Sequence, residues 1–142
     1  MAYCTLTDIT KQLPEAVIAS LTDDALTGSI DDTVVAEAVA DADAEIDAWV
    51  AGRYKTPFSP VPDVIRKVSA DISIYNLFSR RDTDPPEVRK DRYKAAIKLL
   101  ENIAKGLVTI GAAQAEAAPA AVSSAGFTVP GRIFTRETLE GF

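Results

Sequence analysis

The sequence predicts a mainly α-helical protein: a small bundle of three main helices and a short N-terminal helical pair, followed by an extended C-terminal arm that can form a short β-hairpin. Two observations carry this. Apolar residues recur at spacings of three and four through 35–50, 64–78 and 93–104, the repeat of one helix face, and the alternation that marks strands is absent as far as Gly106. At 142 residues the chain is long enough for one core and short for two.

Taken in order, Thr7-Asp8-Ile9-Thr10 reads as the capped start of a short helix that Pro14 interrupts, and Pro14-Glu15-Ala16 opens another through Val17, Ile18 and Leu21. Thr27-Gly28-Ser29 has loop composition. Asp31 or Asp32 can then cap a long helix that carries Val35, Val39, Ala42, Ile46 and Trp49 or Val50 on its core face. Gly52 and the prolines at 57, 60 and 62 end it, since proline lacks the amide donor and restricts the residue before it. Asp63 is the expected cap of the next helix, with Val64 or Ile65, Val68, Ile72 and Tyr75 on one stripe and Phe78 at its edge. RRDTDPP breaks that helix, and Pro86-Glu87 opens the last, with Tyr93, Ala96 or Ile97, Leu100 and Ile103 or Ala104 repeating until Gly106 offers a stop.

Residues 1–107 are therefore expected to form the bundle domain, 108–125 an Ala/Pro/Ser-rich linker and 126–142 a docking arm. GAAQAEAAPAA offers few large side chains to bury, whereas Phe127-Thr128-Val129 and Ile133-Phe134-Thr135 alternate around the turn signal Pro130-Gly131. An isolated hairpin is marginal in water, so the arm needs a surface, its own bundle or a neighbouring molecule. The expectation here is a neighbour.

The net charge of −6 is unevenly spread. Residues 1–51 carry one base, Lys11, against eleven acids, and residues 52–106 carry twelve bases against seven acids. Such asymmetry means either two solvated faces or two surfaces that meet partners of opposite sign. A second copy supplies the opposite sign when subunits meet head to tail.

Most site chemistry is excluded by residue type. There is no histidine, and the single Cys4 near an apparently free terminus reads as incidental. No metal or cofactor set is expected, and no Gly-rich phosphate loop or GxSxG occurs. Asp23 to Gly28 imitates a calcium loop but has Ala25, Thr27 and Val34 where ligands belong. Asp41, Asp43, Glu45 and Asp47 divide between two helix stripes, Glu37-Asp41-Glu45 and Asp43-Asp47, and read as an acidic solvated face. Arg80, Arg81, Arg89, Lys90, Arg92, Lys94 and Lys98 can contact phosphates, but four interleaved acids dilute their field. In GRYKTPFSPVP, Tyr54 and Phe58 are expected to close the bundle, with Arg53 and Lys55 placed to face a partner.

Several segments share a pattern: EIDAWVAGRY at 45–54 with Pro57 and Val61-Pro62, DISIYNL at 71–77, RYKAAIKLLENIAKG at 92–106, and FTR at 134–136 with LEGF at 139–142. Their order and spacing resemble the small Mu-like phage and prophage structural proteins, once a domain of unknown function and linked to head-tail joining. The resemblance runs from about residue 3 to the C-terminal residues. It implies a structural protein with no catalytic residues: a head-tail connector or head-completion subunit, present in the virion and made in the host bacterial cytoplasm. Such a subunit assembles as a homo-oligomeric ring beneath the portal protein, meets a downstream tail or stopper protein, and extends the channel through which double-stranded DNA passes without sequence-specific binding. No membrane is involved. Phe134, Leu139 and Phe142 then become candidate anchors of the arm, with Arg136 as a charge partner, beside Arg53 and Lys55. The alternative is a helical protein-binding adaptor or regulatory module without a virion role.

Overall fold

The computed structural model describes residues 1–81 and 83–115. Five helices follow one another: α1 (Leu6–Thr10), α2 (Glu15–Thr22), α3 (Asp32–Val50), α4 (Asp63–Ser79) and α5 (Glu87–Ala104). The mainly helical class is as the sequence predicts, and no strand forms among the described residues.

The helix boundaries follow local chemistry, with two corrections. At α3 the Asp31 carboxylate accepts from the amides of Thr33 and Val34, as expected of a cap. At α1 the first turn starts earlier than Thr7: Thr5 is the N-cap, and its amide and hydroxyl donate to Asp8 at 3.1 and 3.0 Å. Asp63 is the first residue of α4 rather than its cap; Pro62 stands at that position, as Pro14 and Pro86 do for α2 and α5. Proline suits the start of a helix because it offers no amide that would need a partner. Gly106, at φ +79°, takes the left-handed conformation just past α5 that glycine adopts without strain.

α4 is the axis of the molecule and packs on all four other helices. The sequence assigns it one apolar stripe, but every residue from Val68 to Ile74 is buried, including Ser69, Asp71 and Ser73. The reason is that two apolar clusters lie on opposite sides of it. One joins α1, α2 and the first half of α3 to Ala70, Ile74, Leu77 and Phe78. The other joins the second half of α3, α5 and the proline-rich loop to Ile65, Val68 and Ile72. A helix enclosed on several sides has no solvent stripe to fill with charge. Its two serines are bonded instead: Ser69 Oγ donates to Asp43 at 2.7 Å, and Ser73 Oγ donates to the Ser69 carbonyl at 2.7 Å, while Asp71 stands 3.6 Å from the Lys67 ammonium and 3.7 Å from the Arg92 guanidinium with its Oδ1 without a hydrogen bond.

Candidate interaction surface

The loop between α3 and α4 is held by three aromatic rings. Tyr54 and Phe58 are buried and stand 6.3 Å apart, and Tyr3 packs on Phe58 at 5.5 Å. The loop contains two cis bonds, Thr56–Pro57 and Ser59–Pro60. The Phe58 amide donates to the Tyr3 hydroxyl at 3.2 Å, and that hydroxyl donates in turn to Asp47 on α3. The bundle-closing role expected of Tyr54 and Phe58 is the one they have.

The residues after α5 return to this loop. The Lys55 amide donates to the Ala113 carbonyl at 3.1 Å and the Ala115 amide to the Arg53 carbonyl at 2.9 Å, making an antiparallel bridge between Tyr54 and Gln114. Val108, Ile110 and Ala112 pack against the core, so the first eight residues expected in the linker lie along the bundle. The rest of that segment and the whole arm, with Phe134, Arg136, Leu139 and Phe142, lie outside the described residues.

Arg53 and Lys55 occupy different environments. Arg53 is half-buried, with its guanidinium 5.9 Å from the centre of the Tyr54 ring and its Nε without a hydrogen-bond partner. It also lies over Gly106, where a Cβ would stand 2.8 Å from its Cζ. Lys55 is exposed.

The basic set of α4 and α5 is largely engaged within the fold. Arg80 and Arg81 both grip Asp24, and their Nη1 atoms donate to the carbonyls of Leu21 at 3.3 Å and Ser20 at 3.0 Å. The two guanidiniums, Arg80 foremost, hold the Asp24 carboxyl down at about 2. Arg89 and Arg92 reach Gln12 at 2.8 and 2.7 Å, and Lys90 pairs with Asp84 at 2.7 Å. Lys94 and Lys98 are exposed and make no ion pair among the described residues.

The acidic helix α3 divides differently from its expected solvated face. Glu37 and Asp41 are exposed, as expected, and Glu45 accepts from the Tyr93 hydroxyl at 3.1 Å. Asp43 is buried, at 9% exposure, and accepts from the Tyr3 amide at 2.8 Å as well as from Ser69. Burial pushes its carboxyl up from the ordinary range, while the bonds from Ser69 and Tyr3 pull it partly back. Cys4 corrects a second expectation. It is 2% exposed rather than on a loose end, and burial pushes its thiol up, away from the reactive thiolate.

Tyr3 thus ties the N-terminal segment to α3, and an open groove of about 740 Å³ runs between them, past Val35, Ala40 and Ala44 to Pro57. Sequence reasoning missed this groove. Its signal was present in the alanines at 36, 40 and 44, which recur at helical spacing on one side of α3.

Comparison with known proteins gives a family and two relatives. The family model described as Bacteriophage Mu, Gp36 matches residues 3–129. The Mu-like prophage FluMu protein gp36 of Haemophilus influenzae is 32% identical over 114 residues, 80% of this chain and 79% of that protein. Gene product J of Escherichia phage Mu is 27% identical over 107 residues, covering 75% and 74% of the two chains.

Proposed function

The chain belongs to the Bacteriophage Mu Gp36 family and is a phage protein, and from that premise we propose that it is a head-tail connector subunit, structural rather than enzymatic. In this reading copies assemble as a ring at the portal, complete the head and extend the DNA channel towards a tail or stopper protein. The subunit belongs to the virion.

The observation that supports this best is the unequal charge of the helices, α3 with acids alone and α5 with exposed, unpaired lysines. Every charged residue of α3 is acidic, and Asp32, Glu37 and Asp41 are exposed. On α5, Lys94 and Lys98 are exposed and unpaired among the described residues, and Lys55 is exposed on the loop. A closed ring is built from one patch meeting a different patch on the next copy, and opposite charges favour that head-to-tail contact over a symmetric pair. Arginines that would otherwise hold phosphates are spent on Asp24 and Gln12. Weak phosphate contact suits a channel through which DNA must slide. No described helix is long and apolar enough to cross a membrane.

The test is the mass of the full chain by light scattering, alone and with a purified portal ring. The expected result is co-migration with the portal at a ring-sized increment that weakens with salt. A chain that stays unassociated with portal at high concentration argues for the protein-binding adaptor instead.

A further inference from the structure

We propose that copies of this chain meet through opposite ends of α3: Leu26, on the loop before the helix, seats on the Trp49 and Leu107 surface at the far end of the next copy. The inference rests on the head-to-tail assembly proposed above for the presence of a second copy, and it names the surfaces that meet.

The first surface is a braced loop. Asp23 accepts from the Thr27 amide at 2.9 Å and from the Gly28 amide, and the Asp31 amide donates at 3.1 Å to the hydroxyl of Thr22, which is fully buried. Between these two anchors Leu26 is 90% exposed at φ +58°, in the left-handed region that glycine enters far more readily than leucine. At that exposure the side chain gains almost nothing from its own subunit, so neither water nor the backbone favours a leucine here. Asp31 and Asp32 are exposed close by, and residues 23–32 hold four acids and no base. Arg80 and Arg81 offset Asp24 alone.

The second surface lies where α3 and α5 end. Trp49 is 39% exposed and Leu107 74%. Arg53 stands between them: one further turn carries the chain from Trp49 to Arg53, whose amide donates to the Val50 carbonyl at 2.9 Å, and its guanidinium lies over Gly106, next to Leu107. Residues 48–55 and 102–115 hold Arg53, Lys55 and Lys105 and no acid. Lys105 is engaged by Glu101, which leaves Arg53 and Lys55 without an ion pair among the described residues.

Both surfaces present large apolar side chains, and they are opposite in sign. They cannot meet within one subunit, because the 19 residues of α3 set its ends roughly 28 Å apart. A contact between two different patches is heterologous, and repeated around a closed circle it builds a ring. With three large apolar side chains it is small beside the roughly 1,200–2,000 Å² of a stable interface, so a single contact between two free copies is weak.

Site-directed cross-linking of the full chain tests the contact, alone at high micromolar concentration and on a purified portal ring. Leu26→Cys and Leu107→Cys chains are mixed and treated with a short bismaleimide; Cys4 is buried, so the introduced thiols react. They are expected to couple to each other roughly tenfold faster than either couples to itself, or than Leu26→Cys couples to Val88→Cys, an exposed site at the start of α5. Leu26→Gly removes the side chain and releases the left-handed backbone. It should weaken association by roughly tenfold or more without lowering the melting temperature of the subunit, whereas a leucine with a role inside its own subunit would lower it. Three outcomes overturn the proposal: coupling of Leu26→Cys to itself or to Val88→Cys as fast as to Leu107→Cys in both samples, Leu26→Gly associating like the natural chain, or Leu26→Gly melting earlier. Preferential coupling without affinity for the portal supports this contact and counts against the connector reading; portal binding without it overturns this contact and supports that reading.

Discussion

Tyr3 does more structural work than its place near the N-terminus suggests. Its amide donates to Asp43 and its hydroxyl links Phe58 to Asp47, so one residue joins the N-terminal segment, α3 and the proline-rich loop. Tyr3→Phe keeps the ring but leaves the Phe58 amide buried without an acceptor. The expected loss is about 1–2 kcal/mol in urea unfolding at neutral pH. Two carboxylates should give opposite pH signatures. Asp43, with its pKa raised by burial, favours folding most below the unfolded range near about 4, and that contribution falls as pH climbs through the folded value. Asp24, held at about 2, contributes fully above about 4 and loses its contribution as pH drops towards about 2. Unfolding curves across pH should therefore show the natural chain losing ground to Asp43→Asn as pH rises from about 4, and losing ground to Asp24→Asn as pH falls below it.

Among the elements, α4 and α5 show how much a helical repeat can tell. Spacing of three and four placed both helices within a residue or two, because the repeat is a property of the local backbone. The identity of the capping residue was less legible. Asp63 and Pro62 are both acceptable helix starters, and only the backbone angles of Pro62, φ −62° and ψ 143°, mark it as the cap. At the end of α5 the stop itself was legible, but the second demand on Gly106 was not: the Arg53 guanidinium occupies the space a side chain would need. Gly106→Ala should cost about 1–2 kcal/mol for the left-handed backbone alone. It should also displace Arg53 from Tyr54, visible as a changed Tyr54 ring resonance in NMR spectra.

For the whole molecule, the sequence showed an acidic half and a basic half, and the fold decided which charges remain available. Arg80, Arg81, Arg89 and Arg92 bind α2, the residues after it and the α1–α2 turn, which leaves Lys55, Lys94 and Lys98 as exposed bases that make no ion pair among the described residues. If those lysines meet α3 of the next subunit, Lys94→Glu with Lys98→Glu should abolish assembly on the portal while leaving the melting temperature of the subunit within a degree or two. Adding Glu37→Lys and Asp41→Lys should restore assembly, because reversing both sides restores the attraction. Light scattering with portal distinguishes these cases, and failure of the double reversal would locate the contact elsewhere.

By itself the sequence determined the helical class, the order of the five helices, the turn residues between them and the resemblance to a phage structural family. Each depends on residues near one another along the chain, where periodicity, proline and glycine act directly. Only the tertiary structure decided that α4 is enclosed on nearly every side, that Asp43 is buried by Tyr3 from forty positions away, and that residues 113–115 return to pair with the loop at 53–55. The physical reason is that burial and hydrogen bonding between distant segments depend on which surfaces meet. A helical stripe states that a face is apolar, and it leaves open how many neighbours will cover the rest.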